Sequence, residues 1–147
     1  ISRLLSHEDI LSGRAFSLQW LMQQGLKLSF KCTKLVGNPL FAWLMNHITP
    51  THATWNGMNS SGWRTDLLSA NGFDERMQYG GEDRELGERL TNAGIRGKQI
   101  RYSAIVLHLD HNRPYVNDEA WQPNNATRKN TKKLKLTRTE HGMTQQP

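Results

Sequence analysis

The chain has 147 residues, a formal charge of +6 at neutral pH and 36% hydrophobic residues, with a mean hydropathy of −0.70. That length suffices for one domain with a real core, and no apolar run approaches the ~18 residues of a membrane-spanning helix. Arg3, His7, Glu8 and Asp9 interrupt the first twelve residues and exclude a signal-peptide core; because the first residue is Ile1, the expectation is a chain that begins partway through a larger protein. The lone cysteine, Cys32, has no disulfide partner within the chain, which is compatible with a reducing compartment. Its neighbours Lys31 and Lys34 offer no base, so it reads as a structural thiol.

Residues 1–49 read as helical. Leu4, Leu5, Ile10 and Leu11, then Phe16, Trp20, Leu21 and Leu26, recur at roughly helical spacing. Ser6 precedes His7-Glu8-Asp9, a helix start with acids in its first turn. Gly25 is placed to end or bend the first helix. A second apolar stretch, Leu40 to Met45, follows Pro39 and stops before Pro50. Its aromatics belong to a core or face a membrane or a lipid-linked substrate.

The stretch 54–61 is predicted as a strand ending at a Gly62 turn. Thr65 is the expected N-cap of a short helix from Asp66 to Ala70, closed by Asn71-Gly72. Gly80-Gly81 opens a helix at Glu82. Leu86, Leu90 and Ala93 form its buried stripe, Arg84, Glu85, Glu88 and Arg89 fall mostly outside it, and Gly94 ends it. Residues 100–109, rich in β-branched and aromatic types, are predicted as a buried strand. Beyond His111, Pro114, Pro123 and the polar run Asn124 to Asn130 suggest a loose end. Arg128, Lys129, Lys132, Lys133, Lys135 and Arg138 follow without an acid, a tail suited to a polyanion or simply to solvent.

Tyr79-Gly80-Gly81-Glu82-Asp83 is where chemistry concentrates. The glycines let backbone pass close to a ligand. Carboxylates at a helix start interact favourably with the dipole, and a carboxylate at a cleft rim can take a proton from a hydroxyl. Tyr79 offers a flat face for a sugar ring. Acids at a helix N-terminus also serve merely as caps, so these residues alone leave both readings open.

Their company narrows the choice. Asn56-Gly57-Met58-Asn59-Ser60-Ser61-Gly62-Trp63-Arg64, Asn71-Gly72-Phe73-Asp74-Glu75, Tyr79 to Asp83, and Glu85-Leu86-Gly87-Glu88-Arg89-Leu90 before Asn92-Ala93-Gly94 occur in that order. This composite, from about Asn56 to His111, resembles family-two glycosyltransferases, in particular the region similar to the C-terminal part of animal galactosyltransferases. The resemblance implies an α/β chain: the C-terminal, acceptor-side portion of a GT-A (nucleotide-diphospho-sugar transferase) fold, with a helical N-terminal segment. The implied divisions are 1–50, joining a donor-binding half outside the chain; 51–112, the acceptor and catalytic region; and 113–147, a loose basic tail.

The resemblance also implies roles. Asp83 is the expected general base and Glu82 its neighbour holding the acceptor. Tyr79, Gly80, Gly81, Asn59 and Arg64 are the expected substrate-binding residues. His108 is the expected ligand of a divalent metal, Mn²⁺ or Mg²⁺, with His111 as second candidate. The implied reaction is an inverting sugar transfer from a nucleotide-diphospho-sugar to a saccharide or lipid-linked acceptor, in cell-surface polysaccharide or lipopolysaccharide synthesis. That activity places the enzyme in the cytoplasm, peripheral on the inner membrane face, with the basic tail touching anionic lipid. One departure stands out: the chain has no Asp-x-Asp, so the metal and nucleotide site is expected to be incomplete here. A non-catalytic sugar-binding fragment and a basic nucleic-acid-binding module are the alternatives; the second lacks any recognised nucleic-acid-binding signature, and no nucleic-acid partner is expected.

Overall fold

The computed structural model describes residues 5–108 and 121–144. The chain divides into two compact units, one of Ile1–Thr51 with Gln99–Asn112, the other of His52–Lys98 with Arg113–Pro147.

In the first unit, α1 (His7–Leu11) begins at a capping box. The Ser6 hydroxyl accepts from the Asp9 amide, and the Asp9 carboxylate accepts from the Ser6 amide. Gly13, at φ +76°, turns the chain into a 3₁₀ segment, Arg14–Phe16, before α2 (Leu18–Gln23). The expected single long helix is thus two short ones, and Gly25, at φ +93°, lies just past the second. A second 3₁₀ segment, Phe30–Val36, buries Cys32 and ends at Gly37. In α3 (Pro39–Ile48) Asn38 caps the start by accepting from the Phe41 amide at 2.9 Å, and Pro39 occupies the first turn, where its missing N–H costs nothing.

The second unit is built on α5 (Glu82–Asn92). Leu86 and Leu90 pack with Ala70, at the end of α4 (Arg64–Ser69), and Trp55, Leu67 and Ile95 close around them. Gly87 is where Trp55 crosses: a Cβ there would lie 2.8 Å from that of Trp55. Helix α4 starts two residues earlier than expected and Thr65 does not cap it, but Asn71 and Gly72, at φ +64° and +70°, end it as expected. Gly94, at φ +82°, ends α5, with the Ile95 amide donating to Leu90 O at 3.0 Å.

Three expectations are corrected. First, the α/β, GT-A architecture is absent: every regular element among the described residues is helical. A strand needs a ladder partner. In 54–61 the backbone instead folds on itself and onto side chains: the Asn59 amide donates to Asn56 O at 3.0 Å and the Asn56 amide to Ser60 Oγ at 2.6 Å. In 100–108 the amides of Ser103 and Ala104 both donate to Ile100 O, which closes a turn.

Second, the supposed loose tail carries α6 (Trp121–Leu134), which packs on α5. Beyond Trp121 at its start, its inward face is Asn124, Thr127, Arg128 and Thr131, spaced as one helical stripe of polar residues. Third, Glu85 and Arg89 are not on an outer face. They are 2% and 0% exposed, among the most buried side chains of the described residues.

Candidate active site

The site grows from the start of α5. Gly80 and Gly81, at φ +108° and +91°, adopt the left-handed backbone that favours glycine. Gly81 is the N-cap, so the capping duty belongs to a residue without a side chain. Glu82 reaches back and accepts from the Gly80 amide at 2.7 Å, bracing the loop. Asp83 instead faces the Asn56–Ser60 turn: its Oδ2 accepts from the Gly57 amide at 3.1 Å and its Oδ1 from the Arg84 amide at 2.7 Å. Each oxygen thus takes one backbone hydrogen bond, and a carboxylate oxygen has a second acceptor position for a substrate hydroxyl. Gly57 lies close opposite: a Cβ there would be in ordinary contact with that of Asp83, at 3.7 Å.

These contacts bring Asp83, Glu82, Gly80, Gly81 and Tyr79 to one end of α5, beside the turn that holds Asn59. Arg64 is exposed at the start of α4. His108 is exposed and belongs to the other compact unit. His111 lies outside the described residues. Among the described residues no three His, Cys, Asp or Glu side chains cluster as metal ligands.

Sequence reasoning missed the support behind the loop. Asn124, 3% exposed, donates from Nδ2 to Tyr79 O at 3.3 Å and to Gly80 O at 2.9 Å. The Trp121 ring lies against Gly80, where a Cβ would meet it at 3.1 Å, and stays 40% exposed. Arg128 lays its Cδ against Gly81 and donates to Glu88 Oε1 at 2.6 Å, which Lys132 also approaches at 3.2 Å. Deeper, Arg89 donates to Glu85, to Gly72 O at 2.7 Å and to Ala70 O, while Thr131 donates to Glu85 Oε1 at 2.8 Å. This pair ties α5 to the end of α4 and to α6. The Glu-to-Arg spacing of four was the one sequence signal for it.

A family model described as the N-terminal domain of galactosyltransferase matches residues 46–112. This segment, which contains the Asn56–Ser60 turn, the glycine loop and α5, is similar to a galactosyltransferase domain. Such a region implies a transferase with a nucleotide-sugar donor and an acceptor. No curated protein and no solved structure matches the chain. Trp121, Asn124 and Arg128 lie beyond the matched segment.

Proposed function

We propose that the chain supplies the acceptor-side, general-base part of an inverting glycosyltransferase, with Asp83 as the base. The observation that carries this is the placement of Asp83: first turn of α5, one residue after the paired glycines, both oxygens oriented by backbone amides. Asp83 takes the proton of the acceptor hydroxyl as that oxygen attacks the anomeric carbon. The bond from that carbon to the nucleotide diphosphate breaks on the opposite face, and one displacement inverts the configuration. Glu82 keeps the glycine loop in shape beside the acceptor, and Tyr79 and Asn59 border it.

The finer expectations belong to the same proposal: a saccharide or lipid-linked acceptor, a role in cell-surface polysaccharide or lipopolysaccharide synthesis, and a cytoplasmic site at the inner membrane face. A divalent ion, Mn²⁺ or Mg²⁺, would neutralise the leaving diphosphate; His108 is the residue of this chain offered as one ligand.

Asp83→Asn tests the base. It keeps the shape and can still accept from the Gly57 amide, but it loses basicity. In the full-length enzyme it should lower kcat by a factor on the order of 10² to 10⁴. Glu82→Gln should raise the acceptor KM at least as much as it lowers kcat. Turnover of Asp83→Asn within a few-fold of wild type would leave Asp83 as a structural carboxylate and remove the catalytic assignment.

A further inference from the structure

Helix α3 is held by one face and is mainly apolar on the other, where His47 also lies against the Trp43 ring, with centroids 4.5 Å apart. On the inner face, Phe41 meets Tyr102 edge-on with ring centroids 6.3 Å apart. Asn46 accepts from the Tyr102 amide at 2.9 Å and donates to Ser103 Oγ at 2.7 Å. These contacts fix the rotation of the helix. The outer stripe is then Leu40, Trp43, Leu44 and Ile48, at helical spacing, and it is 73%, 57%, 44% and 60% exposed. Just before α3, Leu28, Phe30 and Val36 are exposed as well.

Charge identifies the occupant. No acid occurs between Asp9 and Asp66. The acids among the described residues of this unit, Glu8 and Asp9, both pair with Arg14. Lys27, Lys31 and Lys34 therefore lie in sequence beside the exposed Leu28, Phe30 and Val36, with no carboxylate near them in sequence. A second copy related by a two-fold axis would set these lysines against one another, which association disfavours. An anionic lipid surface offers what both parts need: hydrocarbon for the apolar stripe and negative headgroups for the lysines, with a tryptophan at the boundary.

We infer that the outer face of α3, with the 27–36 segment before it, is a docking surface for an anionic membrane. The 128–138 basic stretch, the expected contact, is partly committed elsewhere. Arg128 and Lys132 pair with Glu88, and Arg138 donates to Leu68 O, Ser69 O and Thr144 Oγ1. This inference does not depend on the transferase assignment.

Sedimentation of the protein with vesicles tests it. The protein should bind phosphatidylglycerol/phosphatidylcholine vesicles, and binding should weaken in high salt. Lys27→Gln, Lys31→Gln and Lys34→Gln together should lower partitioning on the order of 10²-fold, since each basic residue at an anionic surface is worth about a factor of five. Leu40→Ser with Trp43→Ser should abolish binding with the circular dichroism spectrum unchanged. Lys129→Gln, Lys133→Gln and Lys135→Gln together should leave binding within a few-fold of wild type. Three results would overturn the inference: no binding to anionic vesicles, loss only in the 129/133/135 variant, or self-association removed by Leu40→Ser/Trp43→Ser without any lipid binding.

Discussion

Asp74 shows how one side chain anchors the end of the chain. Burial pushes its carboxyl pKa up, but hydrogen bonds from Arg76 and Thr139 and the Arg76 charge outweigh this and bring it down to about 2. Because the folded value is lowered, the stabilisation is fully present above the ordinary carboxylate range and is lost as pH falls through the folded value. The shift is worth about 2 kcal/mol. Denaturant titrations of wild type and Asp74→Asn should therefore differ most near neutral pH and converge as pH falls from about 5 to about 2. Arg89 is the harsher case. Arg89→Met leaves Glu85 buried without its cation and should cost about 3–5 kcal/mol. Adding Glu85→Leu should recover only part of this in urea unfolding, because Ala70 O and Gly72 O still lose their donors. Full recovery would mean that the two carbonyls find other partners.

At the scale of elements, what the sequence disclosed depended on whether packing was apolar. The Ser6 cap of α1, the Pro39 start of α3 and the span of α5 were legible, because caps, prolines and an apolar stripe act locally. Helix α6 was not: hydrophobic periodicity has nothing to detect on a face made of Asn124, Thr127, Arg128 and Thr131. The same blindness put Glu85 and Arg89 outside. Around the candidate site, the left-handed glycines were legible from their motif, whereas the carbonyls that Asn124 holds come together only after folding. Asn124→Ala should leave those buried carbonyls short of a donor and destabilise the protein by about 1–3 kcal/mol. Asn124→Asp, which keeps the size but loses the donor, should be no better; thermal unfolding of both variants measures this.

For the whole molecule, the strands failed because composition gives a segment at most a readiness to pair, and pairing needs a neighbour at ladder distance. Among the described residues every regular element is helical, so segment 54–61 spends its polar groups on turns and on α5. This difference has a direct readout in amide hydrogen exchange, which follows the free energy of local opening. The amides of Leu86 to Ala93 should exchange slowest, since they lie in α5 around the buried Leu86 and Leu90. Thr54 and Trp55 should exchange far faster. Gly57 should be intermediate, because its amide donates to the Asp83 carboxylate. Asp83→Ala should then speed exchange at Gly57 while leaving Leu90 unchanged, which ties the turn to the proposed base without any assay of activity. Alternating protection along 54–61 as strong as that of α5 would instead reveal a paired strand there, and no change at Gly57 in Asp83→Ala would break the link between that turn and the site.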